Sequence, residues 1–241
     1  IWRNRRGKME GMTAYQWVLL NLSLSFGFIA FISGQFMVRY IALDIVGLLT
    51  ALTVLSTFSA TSGLRQFIII FQILRLGDLS LLASILLINH YAGTLDITRM
   101  IAAAVDLPAN VRMWVFLGFF LASLIKLAIW PFGIWLEQAR KSAPRVSFWA
   151  SGVLVPALGY YLLYRIVPII NVADIYRNLT LFSALALGLL VILFTALEEI
   201  KFDRFTQVGG LMSCFLLAAT AVGDGQFLSF YMLGLGLQRG L

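Results

Sequence analysis

The 241-residue sequence has little of what redox, metal or disulfide chemistry requires, since it holds one cysteine and one histidine. Cys214 lies inside an apolar run, so no disulfide or thiolate metal site can form within the chain. His90 stands at the end of another apolar run, without cysteine or carboxylate neighbours at metal-ligand spacing. Paired axial histidines and a glycine-rich nucleotide fingerprint are also missing. We therefore expect no cofactor, no metal and no redox or catalytic centre in this chain.

Charged residues are also scarce, at 12% of the sequence against 61% hydrophobic residues. This apolar share is well above that of soluble globular domains. The formal net charge is +7, but most Lys and Arg residues sit in short links between apolar runs rather than on a basic face with interleaved aromatics. The composition argues against a nucleic-acid partner and predicts an integral, multi-pass protein of the lipid bilayer.

The apolar residues gather in runs of about 20, the length that a helix needs to cross a hydrocarbon core roughly 30 Å thick. We predict an all-α, polytopic transmembrane bundle of about eight spans. The long interval 91–112 is more polar, and we expect an extramembrane loop with a short surface helix there. The predicted spans are 15–33, 36–57, 66–90, 113–135, 147–170, 178–198, 205–223 and 226 to the end.

The links between the spans differ in basic residues, and cytoplasmic loops carry the excess of Lys and Arg. Alternate links fall into two groups, which predicts that the basic segment 1–14 is cytoplasmic. One group holds Arg3, Arg5, Arg6, Lys8, Arg65, Arg140, Lys141, Arg145, Lys201 and Arg204, and the other holds Arg99, Arg112, Arg165 and Arg177.

Four sets of charges fall inside the predicted spans, where a charge costs several kcal/mol and usually faces a partner or water. Asp44 and Lys126 are mid-span and have no opposite charge within one turn. The cost of each buried charge must therefore be offset by a group on another helix, by water or by a change of protonation. Burial disfavours the charged form of each side chain, and a proton relay requires such a shift in protonation. Arg75 and Asp78 share a helix face and can neutralise each other, and Arg239 lies near the end. The alternative is structural ion pairing, or snorkelling of long side chains to the interface.

Pro131 predicts a break in the fourth span. Proline lacks an N–H and crowds the carbonyl four residues earlier, at position 127, so we expect the span to be kinked or broken one turn past Lys126. A freed backbone group at membrane depth survives only inside protein or beside a wet cavity. We expect one hydrated pocket to serve the carbonyl and the Lys126 amine, with Asp44 approaching it. The alternative is that Pro131 merely ends the span near the interface.

The region around this break resembles a signature of the antiporter-like subunits of respiratory complex I and of Mrp sodium/proton antiporters. The residues that carry the resemblance are FFLASLIKLAIWPFGIWLEQA at 119–139 and APRVS at 143–147. In that family a lysine helix ends at a proline, and a proline-x-valine-serine turn opens the next span. Segments 40–48, 75–78 and 200–204 resemble further motifs of the family in the same order.

Four positions depart from the family pattern, one of which is Leu235, where a histidine is expected. Asp44 stands where the family usually has glutamate. Ser151 replaces a histidine after the proline-valine-serine turn, and a serine takes up no proton near neutral pH. Arg239 stands where a lysine is expected, and arginine is effectively always charged. The resemblance therefore implies a conventional first half-channel, apart from Asp44, and an altered central axis.

The family's architecture implies two inverted five-helix repeats. Residues 15–170 would form the first repeat, and residues 171–241 would supply the first three helices of a second, incomplete repeat. We expect the sequence to be the middle of a larger subunit.

The resemblance implies translocation of protons or Na⁺ through a carboxylate/lysine relay, with other membrane subunits as partners and quinone reached only through them. It also implies the cytoplasmic membrane of a prokaryote or a bioenergetic organelle membrane. Two alternatives are an energy-coupling subunit of a bicarbonate-accumulating complex with a carbonic-anhydrase-like partner, and a non-conducting scaffold. The predicted ion pathway comprises Asp44, Arg75, Asp78, Lys126, Ser151 and Arg239, with the helix break at Pro131.

Overall fold

A computed structural model of the chain describes residues 13–56, 60–140, 152–196 and 204–222. The regular structure of these residues is helical, apart from one isolated antiparallel bridge between Gln35 and Asp96. Their helices are α1 (Ala14–Ile32), α2 (Phe36–Leu55), α3 (Ala60–Ala92), α4 (Ile97–Val105), α5 (Ala109–Lys126), α6 (Ile134–Arg140), α7 (Val155–Arg165), α8 (Val167–Ile170), α9 (Asp174–Ala196) and α10 (Arg204–Val222).

Five segments of these helices are long and apolar enough to cross a membrane: Ala14–Ile32, Phe36–Leu55, Gly63–Ala92, Ala109–Lys126 and Asp174–Leu193. Their outer surfaces expose large apolar side chains such as Phe28, Trp114 and Phe182, as expected where the surroundings are hydrocarbon. The helical, multi-span character predicted from the sequence is confirmed. The total of eight spans and the inverted repeat stay predictions, and the predicted eighth span lies outside the described residues.

Helix starts follow the local sequence. Thr13 and Gln16 form a capping box at the start of α1, with Gln16 N donating to Thr13 Oγ1 at 3.3 Å and Thr13 N donating to Gln16 Oε1 at 3.2 Å. Asp96 caps α4, and its carboxylate accepts from Arg99 N at 2.9 Å. The short helix predicted within 91–112 is therefore confirmed.

Several predicted boundaries differ from the observed ones, and the described part of the predicted span 147–170 is divided between α7 and α8. The predicted span 113–135 is divided, because α5 ends at Lys126 and α6 begins at Ile134. The helices α3 and α9 begin several residues before predicted positions 66 and 178. Polar residues at those two starts end the apolar run without ending the helix.

Helix α3 lies at the centre of the packing, with α2 and α5 as its main neighbours, and α5 also packs against α7. The connection from α1 to α2 meets the connection from α3 to α4, where Phe36 N donates to Leu95 O at 2.9 Å and Ile97 N donates to Gly34 O at 3.0 Å. We call this side of the bundle the α4 end. In the predicted orientation it is the non-cytoplasmic side.

Candidate functional site

One turn of α3 carries two opposite charges, and each pairs with a different helix. Arg75 Nη1 donates to Asp44 Oδ1 of α2. Asp78 Oδ1 lies 2.8 Å from Lys126 Nζ of α5. The three-residue spacing suggested that Arg75 and Asp78 neutralise each other, but the structure pairs both across helices. These four side chains, which we call the charge quartet, have no net formal charge.

The two ion pairs of the charge quartet differ strongly in burial. The side chains of Lys126 and Asp78 are 1% and 2% exposed, whereas those of Arg75 and Asp44 are 38% and 30% exposed. The buried contact is an ion pair by distance, although Asp78 Oδ1 accepts no well-directed hydrogen bond. Because burial strips water from both ions, each depends on the other's charge. A change of charge on either one therefore changes the electrostatic stabilisation of its partner.

Lys126 stands at a helix end rather than inside a continuous span. Ala128 N donates to Ile125 O at 3.1 Å, and Ile129 N donates to Leu124 O at 3.2 Å, which is the hydrogen-bond pattern of a Schellman motif. Ala128 takes the left-handed position of this motif, with φ of 55°, where glycine is usual. The helix thus stops five residues before Pro131, which lies in the following turn.

The carbonyls freed by this helix end have partners. Ser213 Oγ of α10 lies 3.3 Å from Leu127 O, the carbonyl that a proline at position 131 was expected to free, and shares its single hydroxyl hydrogen between this carbonyl and Gly209 O at 2.9 Å. Trp135 Nε1 of α6 donates to Ile125 O at 2.7 Å. Side chains from two other helices therefore satisfy backbone groups beside Lys126, as buried backbone requires.

Two glycines set how closely the neighbouring helices approach the buried pair. A Cβ atom at Gly159 of α7 would lie 2.7 Å from Lys126 Cβ and 2.8 Å from Leu127 N, closer than packed atoms tolerate. A Cβ atom at Gly47 of α2 would lie 3.5 Å from Asp78 Oδ2, which is ordinary contact. The absence of a side chain at Gly159 is therefore what lets α7 rest on the end of α5.

Of the six predicted ion-pathway residues, four form the charge quartet, and Ser151 and Arg239 lie outside the described residues. Asp44 and Lys126, predicted to form a coupled pair, do not touch. They are joined through Arg75 and Asp78 on α3.

Sequence reasoning missed two residues, Gly159 and Arg39. Nothing in the sequence alone marks Gly159 as the contact for Lys126. Arg39 is 2% exposed one turn into α2, and a charge at that depth of an apolar run was a signal that could have found it.

Within the described ranges, no group of three or more His, Cys, Asp or Glu side chains gathers at metal-binding distance. The charge quartet offers only one carboxylate at each ion pair. The geometry of the quartet is therefore that of two ion pairs between helices.

Comparison with known proteins places this arrangement in a family. Residues 33–233 match the family model described as NADH:quinone oxidoreductase/Mrp antiporter, transmembrane. The chain is 34% identical over 101 residues to NADH-ubiquinone oxidoreductase chain 4 of Metridium senile, which covers 42% of this chain and 20% of that protein. It is 28% identical over 166 residues to a Staphylococcus aureus protein named as antiporter subunit mnhA2, covering 64% of this chain and 20% of that protein.

Two solved structures share the fold. The Mrp complex from Dietzia sp. DQ12-45-1b matches with a TM-score of 0.79 at 17% identity, over 92% of this chain and 24% of that chain. The membrane-bound sulfane sulfur reductase, an archaeal respiratory membrane complex, matches with a TM-score of 0.76 at 14% identity, over 95% of this chain and 40% of that chain. The family match and the apolar helices make this an integral, multi-pass membrane protein. With residues 33–233 matched, the chain belongs to the transmembrane family shared by NADH:quinone oxidoreductases and Mrp antiporters.

Proposed function

We propose that the chain is an ion-translocating, antiporter-like subunit that moves protons through the charge quartet. The observation that carries the proposal is the ion pair of Lys126 with Asp78, buried at a helix end and joined by one turn of α3 to a second, half-buried pair. A buried charge of this kind in a membrane helix is costly, and its usual justification is an ion pathway.

The quartet suggests how one proton could drive another. Protonation of Asp44 weakens its hold on Arg75. The freed guanidinium then attracts Asp78, which lies on the same face of α3, where Cβ atoms three residues apart are about 5–6 Å from each other. Asp78 in turn holds Lys126 less tightly, so the lysine can release its proton. Two unit charges about 5.5 Å apart interact by roughly 3 kcal/mol at an effective dielectric constant of about 20, which shifts a protonation equilibrium by about two orders of magnitude.

Protons suit this site better than Na⁺. The ammonium of Lys126 lies where a metal cation would have to approach Asp78 Oδ1. A sodium ion would need several oxygen ligands, whereas the buried pair presents a single carboxylate. We therefore propose the proton as the translocated ion.

The setting of this activity follows from the relatives, whose names describe subunits of larger membrane assemblies. We propose that the chain works beside other membrane subunits of a complex I-like or Mrp-like assembly. Any electron transfer would belong to those partners, and quinone would be reached only through them. The aligned part covers about a fifth of the length of these relatives.

The proposal is tested by proton uptake into proteoliposomes that contain the purified assembly. Lys126→Met removes the amine and keeps a side chain of similar length, and we expect proton translocation per assembled complex to fall at least tenfold. Arg177→Met, which removes an exposed cation paired locally with Asp174, is the matched control and should pump like the wild type. Full pumping by assembled Lys126→Met would overturn the relay. An inactive wild type would favour the non-conducting scaffold.

A further inference from the structure

Arg39 is a second buried cation, and the charge quartet does not use it. The residue is 2% exposed and lies one turn into α2, at the α4 end of the bundle. Nη2 donates to Phe31 O at 3.3 Å and also to Ser33 O, two carbonyls at the end of α1. Nε and Nη1 are enclosed without a hydrogen-bond acceptor, although a buried charged donor of this kind is costly. Across the part of the chain that the structure describes, Arg39 forms no ion pair with a carboxylate.

The guanidinium of Arg39 faces the ring of Tyr161 on α7. Its carbon stands 4.4 Å from the ring centroid, which is cation–π distance. Phe31 of α1 packs nearly perpendicular to the same ring, with 5.5 Å between the two ring centroids. On α7 itself, Arg165 also approaches the ring, and its Nε donates to Tyr161 Oη at 2.6 Å. The ring of Tyr161 therefore joins α7 to the ends of α1 and α2, whereas its hydroxyl bonds within α7.

Gly159, two residues before this ring, faces a different neighbour. Successive helix residues are about 100° apart around the axis, so Gly159 and Tyr161 lie on nearly opposite sides of α7. Gly159 rests on the end of α5, where an added Cβ would come within 2.7 Å of Lys126 Cβ. Helix α7 is thus enclosed between the end of α5 on one side and the ends of α1 and α2 on the other. Because packed interiors are hardly compressible, a shift of α7 at Tyr161 changes its fit at Gly159.

We propose that Tyr161, held by Arg39, is a positioning residue for Lys126. The guanidinium and the ring fill the space between α2 and α7 and keep α7 against the end of α5. A smaller side chain at position 161 would let α7 move into this space and away from Lys126. The amine would then lose the fixed place in which Nζ lies 2.8 Å from Asp78 Oδ1. The consequence for pumping rests on the proposed function, whereas the consequence for the end of α5 does not.

Hydrogen–deuterium exchange of the purified assembly tests the positioning directly. Tyr161→Leu removes the ring, and Tyr161→Phe keeps the ring but removes the hydroxyl. We expect the amides of residues 124–130 to exchange about tenfold faster in Tyr161→Leu, the size of one buried cation–π contact. Tyr161→Phe should exchange like the wild type, and so should the matched control Tyr164→Leu, which changes a 50% exposed tyrosine of the same helix. Wild-type exchange in Tyr161→Leu would overturn the proposal, as would equally fast exchange in Tyr161→Phe or Tyr164→Leu.

Gly159→Ala, made with and without Tyr161→Leu, tests whether Tyr161 acts through Gly159. In the wild type, the added methyl group pushes α7 off α5 and should speed exchange of residues 124–130. In Tyr161→Leu, α7 has room to yield, so the same methyl group should add little. Independent, multiplying effects of the two substitutions would overturn this coupling. If Tyr161→Leu fails to assemble, Arg39→Lys decides by the same measurement, because lysine keeps the charge but has no planar group to face the ring.

Proton uptake into proteoliposomes separates this inference from the proposed function. Tyr161→Leu should lower uptake per assembled complex about tenfold, as expected when a reacting group is misplaced, and Tyr161→Phe should pump like the wild type. Faster exchange in Tyr161→Leu with unchanged uptake would overturn the role in the relay. If the wild type takes up no protons but exchange in Tyr161→Leu is faster, the proposed function fails and the positioning stands. If the wild type pumps and Tyr161→Leu changes neither quantity, the positioning fails and the proposed function stands.

Discussion

The two ion pairs of α3 present the same chemistry in different surroundings. Asp78 and Lys126 are almost completely enclosed, whereas Asp44 and Arg75 keep about a third of their side-chain surface exposed. In the enclosed pair, the lost hydration is large and only the partner's charge replaces it. In the half-exposed pair, the surroundings screen each charge in the absence of its partner.

In the proposed relay, this difference gives the two pairs different tasks. The outer pair can open at modest cost, so it suits the entry of a proton. The inner pair cannot lose one charge without the other responding, so it suits coupling. The four predictions that follow test this contrast, beginning with the largest effect.

Removing one member of the inner pair should be the most damaging change. Lys126→Met or Asp78→Asn should each lower the free energy of unfolding by about 3–5 kcal/mol. The charged side chain left without its partner limits this loss by becoming neutral. At pH 7, neutralisation costs about 4 kcal/mol for an Asp of ordinary pKa and about 5 kcal/mol for a Lys of ordinary pKa. The double variant should recover most of the loss, because no uncompensated charge is left. Unfolding by SDS in mixed micelles measures the cycle, with Arg177→Met as the control.

The same variants should respond to pH in opposite directions. A proton neutralises the carboxylate left by Lys126→Met, so that variant should regain stability as the pH falls from 7 towards 5. Asp78→Asn leaves an ammonium, so it should regain stability as the pH rises from 7 towards 9. Additive losses in the double variant, or identical pH responses of the two single variants, would show that the inner pair is not coupled as its burial implies.

Gly159→Ala should have an intermediate effect, because it adds one methyl group against Cβ of Lys126 and the backbone nitrogen of Leu127. The new Cβ would lie 2.7–2.8 Å from these atoms, and overpacking of this kind costs about 1–3 kcal/mol. It should also slow proton translocation by moving the amine away from Asp78. Gly47→Ala is the matched control, since its Cβ would meet Asp78 Oδ2 at 3.5 Å and should leave stability and pumping nearly unchanged. If the two variants behave alike, Gly159 does not position Lys126.

The outer pair should show the smallest stability effect. A double-mutant cycle on Asp44→Asn and Arg75→Gln should give a coupling energy of about 1 kcal/mol or less. Pumping should nevertheless fall in Asp44→Asn and persist in Asp44→Glu, because titration rather than stability is required of this carboxylate. A coupling energy as large as that of the inner pair, or normal pumping by Asp44→Asn, would erase the distinction between the two pairs.

Sequence reasoning found the charged residues of the site but not their pairing. Asp44 and Lys126 stood out because a charge within a 20-residue apolar run is expensive wherever the run folds. Their partners could not be read from spacing, since Arg75 and Asp78 are equally close to each other along α3. The helix end beside Lys126 was foreseen through Pro131, but its location five residues earlier depends on Ser213 and Trp135, which reach it from other helices.

The sequence by itself determined that this protein is a bundle of membrane helices with charges inside it, because the length of an apolar run and the cost of a buried charge are local properties. Only the tertiary structure decided which charges meet. Asp44 and Arg75 are 31 residues apart, and their contact depends on how α2 lies along α3. The burial of Lys126 depends likewise on Gly159, whose missing side chain lets α7 close over the end of α5. Contacts of this kind arise from packing between distant segments, and packing is set by the shapes of all the helices together.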